Sequence, residues 1–281
     1  MTLSKDGYAH EVISDDTRLQ LYFSLIKDGH YFYSPPHWHG HLEIVFIQKG
    51  EMTAWVNDQQ YHLHDNDLLI VNSRELHSTK SFENIEYLLL QIPFDYLGRV
   101  ISDVSLIHFQ EYFPAGVTQP AKDALYSCLF ELARTYTEKE DGYLLHFSSV
   151  VYEFLYILYR NYSRKVTPEA VEKANRNFEK IEEVIQYVKV NYRKNISLND
   201  VSGILNLSPE YFCRMFKKHT GQTFLEYLNA IRLIHFHQDL LHTDYSVTDL
   251  MARNGITNYK VFIRTFKETY GTTPAKLRIQ C

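Results

Sequence analysis

ISLNDVSGILNLSPEYFCRMFKKHTG, from Ile196 to Gly221, and YSVTDLMARNGITNYKVFIRTFKETYG, from Tyr245 to Gly271, carry one pattern twice. Each copy reads as a short helix, a turn, and a second helix that closes on Phe-Lys and a Gly. An internal repeat marks one structural unit used more than once. Helix, tight turn and helix is a plan whose second helix can enter the DNA major groove. On a wheel of about 100° per residue, Tyr211, Phe212, Met215 and Phe216 share one arc. Glu210, Cys213, Arg214, Lys217 and Lys218 fill the opposite arc. Ser208 suits the N-cap and Pro209 the first helical position. By counting, Phe262 matches Phe212, Arg264 matches Arg214, Phe266 matches Phe216 and Lys267 matches Lys217. Lys260 takes the place of Glu210, and Ile263 that of Cys213. Arginine can bond two acceptors on guanine, and an apolar group can touch the thymine methyl. Arg214 and Arg264 are therefore the expected base readers, with Glu210, Cys213, Lys260 and Ile263 beside them. Lys217, Lys218 and Lys267 are expected on phosphates, which fix position without reading sequence.

Between the copies, Phe224, Tyr227, Leu228, Ile231 and Ile234 form a helical stripe within Thr223 to Thr243. About 20 helical residues span about 30 Å. Major grooves on one DNA face recur at about 34–36 Å. One rigid helix could thus hold both reading helices a DNA turn apart. The words RMFKKHTGQTFLEYLNAIRL and GITNYKVFIRTFKETYGTTPAKLR, with Thr273-Pro274 and Arg278, carry a resemblance. From about Ile196 to Arg278 the chain is similar to the AraC/XylS-type transcription regulators. That resemblance implies two helix-turn-helix units joined by a linker helix, with double-stranded DNA as partner and RNA polymerase as a further one. Met251, Ile256, Phe236 and Asp239 depart from the family's usual residues; a buried Asp239 requires a partner.

The N-terminal third is strand-like. Glu43–Gln48, Met52–Asn57, Asp67–Asn72 and Glu86–Ile92 are short runs rich in β-branched and aromatic residues, separated by turn signals. Such spacing indicates a sandwich or barrel. His37-Trp38-His39-Gly40-His41-Leu42-Glu43 leads into it. Alternation along a strand would point His37, His39, His41 and Glu43 to one face, with Val45 and Ile47 following. HxHxxxE followed by Gly, with His77 further on, resembles a cupin barrel, where these four places bind metal in cupin enzymes. The expected effector site is His37, Trp38, His39, Glu43, Trp55 and His77, with Tyr31 and Tyr33 as further aromatic neighbours. In AraC-type regulators the resemblance implies a pocket without metal, filled by a small effector such as a sugar. No cofactor is expected. If a metal is held, its ligands are His37, His39, Glu43 and His77, a donor set that suits Zn, Fe or Mn.

After Pro93 the period becomes helical. Residues 121–138 and 143–162 carry apolar stripes, and the link Thr137 to Gly142 makes them a helical hairpin. The second of these helices is also apolar off its stripe, at Val150, Tyr152, Tyr156 and Tyr159, which suits a homodimer seam as well as packing on the barrel. Polar residues 163–175 with Pro168 read as a linker, with a helix beginning near Phe178. The expected organisation is a sensing barrel over 1–95, a helical dimerisation region over 96–165, a linker over 166–176, and a DNA-binding domain over 177–281. The fold class is α+β, an antiparallel cupin barrel with a helical hairpin followed by an all-α domain.

Charge agrees with that division. The chain's net charge of −5 splits into 13 Lys/Arg against 23 Asp/Glu over 1–170, and 16 against 11 over 171–281. A basic half suits a polyanion. No apolar run reaches the length of a membrane span. MTLSKDGYAHEV does not read as a signal peptide, and Cys128, Cys213 and Cys281 form no spaced framework; the expected location is the cytoplasm. No nucleophile arrangement or phosphate loop appears, so an enzyme is not expected. With the resemblance, the expected function is a ligand-responsive, sequence-specific DNA-binding transcription regulator of carbohydrate-metabolism genes, with a sugar as effector. Two alternatives stand beside it: a metal-dependent cupin enzyme or metal sensor fused to a DNA-binding domain, and a constitutive DNA-binding protein whose cupin is a scaffold.

Overall fold

The computed structural model describes residues 13, 16–29, 32–81, 84–116 and 119–280; Tyr31 and Cys281 lie outside them. The N-terminal part is two antiparallel sheets. Strands β1 (Tyr22–Gly29), β3 (His41–Lys49), β6 (Leu68–Val71), β8 (Ile85–Pro93) and β10 (Tyr112–Phe113) form a five-stranded sheet in the order β1-β8-β3-β6-β10. Strands β2 (Phe32–His37), β4 (Met52–Val56), β5 (Gln59–Leu63) and β7 (His77–Ser81) form a four-stranded sheet in the order β2-β7-β4-β5. The expected barrel is thus a pair of sheets with a shared interior. Val45, Ile47, Met52, Ala54, Val56, Tyr87 and Leu89 fill the space between them.

The other side of β3 and β8 is buried too. Leu42, Ile44, Phe46, Leu88 and Leu90 meet helices α2 (Pro120–Glu138) and α3 (Tyr143–Tyr162) through Leu125, Leu129, Phe147, Val151 and Phe154. A strand covered on both faces reads as a continuous apolar run, which is why LEIVFI lacks clean alternation. A short helix, α1 (Phe94–Gly98), follows β8. Strand β9 (Ile107–Phe109) pairs with β11 (Ser163–Lys165). β11 leads straight into α4 (Pro168–Asn191).

Most of the stretch expected as a linker, 166–176, is therefore helix. Thr167 caps α4 by accepting from the Ala170 amide, and Pro168 occupies its first turn. Both are helix-start signals.

The C-terminal part has the two expected units. The first is α5 (Leu198–Ile204) and α6 (Pro209–Thr220), and the second is α8 (Val247–Arg253) and α9 (Tyr259–Tyr270). Helix α7 (Phe224–His242) joins them, and α10 (Pro274–Gln280) follows. Capping boxes at Ser197/Asp200 and Thr223/Glu226 fix the starts of α5 and α7. The family departures are absorbed by packing. The ring of Phe236 lies 4.5 Å from that of Phe262, and Asp239 accepts from Asn254 Nδ2 at 2.8 Å. Buried Arg232 of α7 donates to the carbonyls of Tyr192 and Lys194, tying α7 to the end of α4. Among the described residues no helix is long and apolar enough to cross a membrane.

Candidate functional site

Helices α6 and α9, the expected reading helices, bury Phe212, Met215 and Phe216 in one case and Phe262 and Phe266 in the other. Glu210, Arg214, Lys217 and Lys218 are exposed on α6, and Lys260, Arg264 and Lys267 are exposed on α9. Ser208 and Asn258 cap the two helices. The Arg264 guanidinium lies 3.9 Å from Glu268, one turn along. At that exposure such a pair is weak, so the side chain is available to a groove.

Two positions differ from the wheel. Tyr211, expected in the buried arc, is 49% exposed, and its counterpart Val261 is 41% exposed. Both sit in the first turn at the edge of the apolar arc, so the exposed face is wider than expected at this end. Cys213 and Ile263, expected beside the base readers, are half-buried and pack on the cores of their own units. They form matched shoulders to the exposed face.

In the sensor, the structure brings His37, His39, Glu43 and His77 together, by a route the strand alternation does not describe. His37 pairs across strands with His77 in the four-stranded sheet, their rings 4.1 Å apart. Glu43 pairs with Gln91 in the five-stranded sheet, and Gln91 Nε2 donates to Glu43 Oε2 at 2.7 Å. His39 lies on the connection between the sheets, where its Nε2 donates to Glu43 Oε2 at 2.9 Å. His77 Nε2 stands 3.7 Å from Glu43 Oε1. His41, two residues before Glu43 in β3, keeps the side of the sheet that alternation gives it, and its ring lies 5.7 Å from that of His39.

All four are buried. Burial alone would raise the Glu43 carboxyl, but the imidazoles of His77 and His39 outweigh it and hold the group well below the usual range. Burial lowers His39, against its hydrogen bond to Glu43. The cavity beside this cluster, which Phe32, Val45 and Met52 also line, is about 30 Å³. That is space on the scale of a water or an ion. Ligand atoms of His37, His39 and His77 lie within 4.8 Å of one another, and His39 Nδ1 is buried with no protein partner among the described residues. Three imidazoles beside a carboxylate fit a Zn²⁺-like ion in donor type.

Trp38 and Trp55 do not join this cluster. Trp38 meets Phe178 of α4 edge-on, with ring centroids 4.7 Å apart. Trp55 lies over Gly221 at the end of α6, where an added Cβ would come within 3.0 Å of Trp55 Cδ1. Trp38 and Leu76 belong to the same apolar cluster as Ile181, Val184, Phe212 and Phe216. Both tryptophans therefore sit where the sensor touches the first helix-turn-helix unit.

Beside this contact is a cavity of about 510 Å³. Its apolar wall includes Leu97, Ile107, Val171, Phe94 and Phe178; its polar groups include Asn57, Asp58, Asn72, Glu75, His108, Lys173 and Lys218. Lys218 thus borders the cavity as well as the exposed side of α6. The sequence carries no local signal for this site, because its walls come from β-turns, α1, β9, α4 and α6.

A family model described as an AraC-like ligand binding domain matches residues 20–155, and one described as a helix-turn-helix domain matches 201–280. The chain is 24% identical over 237 residues to an HTH-type transcriptional regulator of Staphylococcus aureus, covering 84% of this chain and 31% of that protein. It therefore spans less than a third of that relative's length. It is 25% identical over 201 residues to the HTH-type transcriptional regulator YbfI of Bacillus subtilis, covering 71% and 70% of the two chains. Among solved structures, ToxT from Vibrio cholerae aligns over 92% of this chain and 97% of its own, at 13% identity and a TM-score of 0.45.

Proposed function

We propose, for a chain that belongs to the AraC/XylS-type transcription regulators, that a sugar-like effector governs DNA binding from the cavity between its two domains. Its domain pair is that of a ligand-binding, DNA-binding regulator and not of an enzyme. The observation that carries the proposal is the 510 Å³ cavity, walled by the sensor on one side and by α4 and α6 on the other. That volume lies in the usual range of small-molecule sites, about 300–1,000 Å³. Asn57, Asp58, Asn72 and Lys218 offer bonds to hydroxyls, and Phe94 and Phe178 offer apolar faces. An occupant touching both domains favours one arrangement of them, which is the condition for control. Genes of carbohydrate metabolism are the corresponding targets. The homodimer belongs to the same reading: Leu145, Tyr152, Tyr156 and Tyr159 form an exposed stripe on α3, Leu145 at 80% and Tyr156 at 62%.

The test is a thermal-shift screen of mono- and oligosaccharides, followed by DNA titration with and without the hit. A hit at 100 times its dissociation constant stabilises by about 2.7 kcal/mol, and DNA changes its affinity by the factor it changes DNA's. Val171→Trp, which fills the cavity, should abolish the response and keep effector-free DNA binding. His39→Gln with Glu43→Gln should keep the response. A response lost in the second variant and kept in the first would put the effector in the sheet interior and refute the proposal.

A second reading has its own observation, the three imidazoles around Glu43. There the sensor would be a metal sensor, with His37, His39, Glu43 and His77 as ligands. Stoichiometric metal that survives dialysis, and whose removal changes DNA affinity, would favour it.

A further inference from the structure

Glu75, His108 and Glu111 lie outside the sheet interior, on two separate stretches of chain. Glu75 is in the turn between β6 and β7, His108 in β9, and Glu111 between β9 and β10. His108 Nε2 is 3.3 Å from Glu75 Oε1 and 3.7 Å from Glu111 Oε1. All three ligand atoms lie within 4.8 Å of one another. Four donors about 2.0–2.2 Å from a tetrahedral ion stand about 3.4 Å apart, so the two measured separations already match those of ligands on a shared cation.

The surroundings aim these atoms. The Asn72 amide donates to Glu75 Oε2 at 2.9 Å, and the Tyr61 hydroxyl donates to Glu111 Oε2. Each carboxylate thus has one oxygen held away from His108 while the other faces it. Asn57 Nδ2 also donates to Glu75 Oε1, at 3.1 Å; a carboxylate oxygen has lone pairs for both. Outer partners of this kind orient ligands in metal sites. Glu75 and His108 also line the interdomain cavity, so the remaining coordination positions open onto space.

We propose that Glu75, His108 and Glu111 bind a divalent transition-metal ion, Zn²⁺ or Mn²⁺, in the wall of the interdomain cavity. One nitrogen and two carboxylate donors suit that class. His108 stands opposite Arg164 in the β9–β11 pair, and β11 runs into α4. An ion here would clamp the turn between β6 and β7 to the β9–β10 stretch, whose β9 pairs with the strand that runs into α4. The site is separate from the His37/His39/His77 cluster and does not depend on which effector fills the cavity.

The test uses full-length protein stripped by chelator, with His39→Gln as background to remove one donor of the interior cluster. Isothermal titration with ZnCl₂ and MnCl₂ should show one equivalent of one of these ions binding in that background, and a melting point raised by the ion. Adding His108→Ala, or separately Glu111→Gln, should weaken that binding at least 10-fold. Glu111→Gln keeps the Tyr61 contact and guards against a variant that fails to fold. Absence of Zn²⁺ and Mn²⁺ binding in the background, or binding unchanged by both added substitutions, would overturn the proposal.

Discussion

Gly255→Ala is a sharp probe of how the second reading unit is seated. Gly255 has φ of +70°, and an added Cβ would lie 2.6 Å from the Arg193 carbonyl oxygen and 3.0 Å from that of Tyr192. Both atoms are backbone at the end of α4, so no side chain can swing away. Gly271, the helix end of the second copy, has φ of +69°, with nothing within 4 Å of its would-be Cβ. Gly271→Ala therefore bears only the left-handed backbone cost, about 1–2 kcal/mol. Gly255→Ala bears that and an overpacking cost of about 1–3 kcal/mol. In a domain of this size one kcal/mol corresponds to about 4–8 °C. Scanning calorimetry should thus show the C-terminal transition falling at least about 4 °C further for Gly255→Ala than for Gly271→Ala. Because α4 must give way, the second unit also tilts against the first, and DNA affinity should fall at a temperature where the domain stays folded. Equal transitions for the two variants would refute the argument that the turn is seated directly on α4.

Lys217→Ala and Lys267→Ala should weaken binding to all sequences alike and each lower the slope of log affinity against log salt by about 0.9; an unchanged slope removes them from the phosphates. Burial holds His235 and His237 below the ordinary imidazole value of 6.5, with Arg193 and His242 as the next causes. The unfolded chain then takes up protons first, so stability should decline as pH falls below about 6.5. His235→Gln with His237→Gln should flatten melting point against pH from about 7.5 to 5.5; an undiminished slope would exclude these two groups. Tyr156→Glu, in the exposed stripe of α3, should turn a dimer into a monomer by light scattering at tens of micromolar, and a wild-type chain already monomeric there would sink the seam.

The elements the sequence disclosed are those whose signal is local. Helix α3 covers the expected residues 143–162 because its apolar period is unbroken, and the repeat placed Arg214 and Arg264 because counting is enough on a shared scaffold. The His/Glu cluster was legible in membership and not in geometry. Alternation along one strand does not describe the connection that carries His39 from one sheet to the other, while His41 and Glu43, both in β3, keep the shared side that alternation gives them. Thr167-Pro168 held the start of α4 in plain view, but polar composition outweighed the cap. A wheel does not distinguish Tyr211 from the buried positions, because it gives angle and not place along the helix, and Tyr211 sits in the first turn of α6. Trp38 and Trp55 were read as pocket aromatics, whereas their partners Phe178 and Gly221 lie more than a hundred residues away. The cavity they adjoin has walls from both domains and no contiguous motif.

Arg214 of α6 and Arg264 of α9 are the pair whose contribution to DNA reading is most directly measurable. An operator selected by the wild-type chain from random sequence should be titrated at fixed salt with wild type, Arg214→Ala and Arg264→Ala. Each substitution should cost about 1–3 kcal/mol of specific affinity and relax base preference at one position, the two positions lying about one DNA turn apart. If both variants bound the operator as wild type does, with preference unchanged, the assignment of these helices as the reading elements would be contradicted.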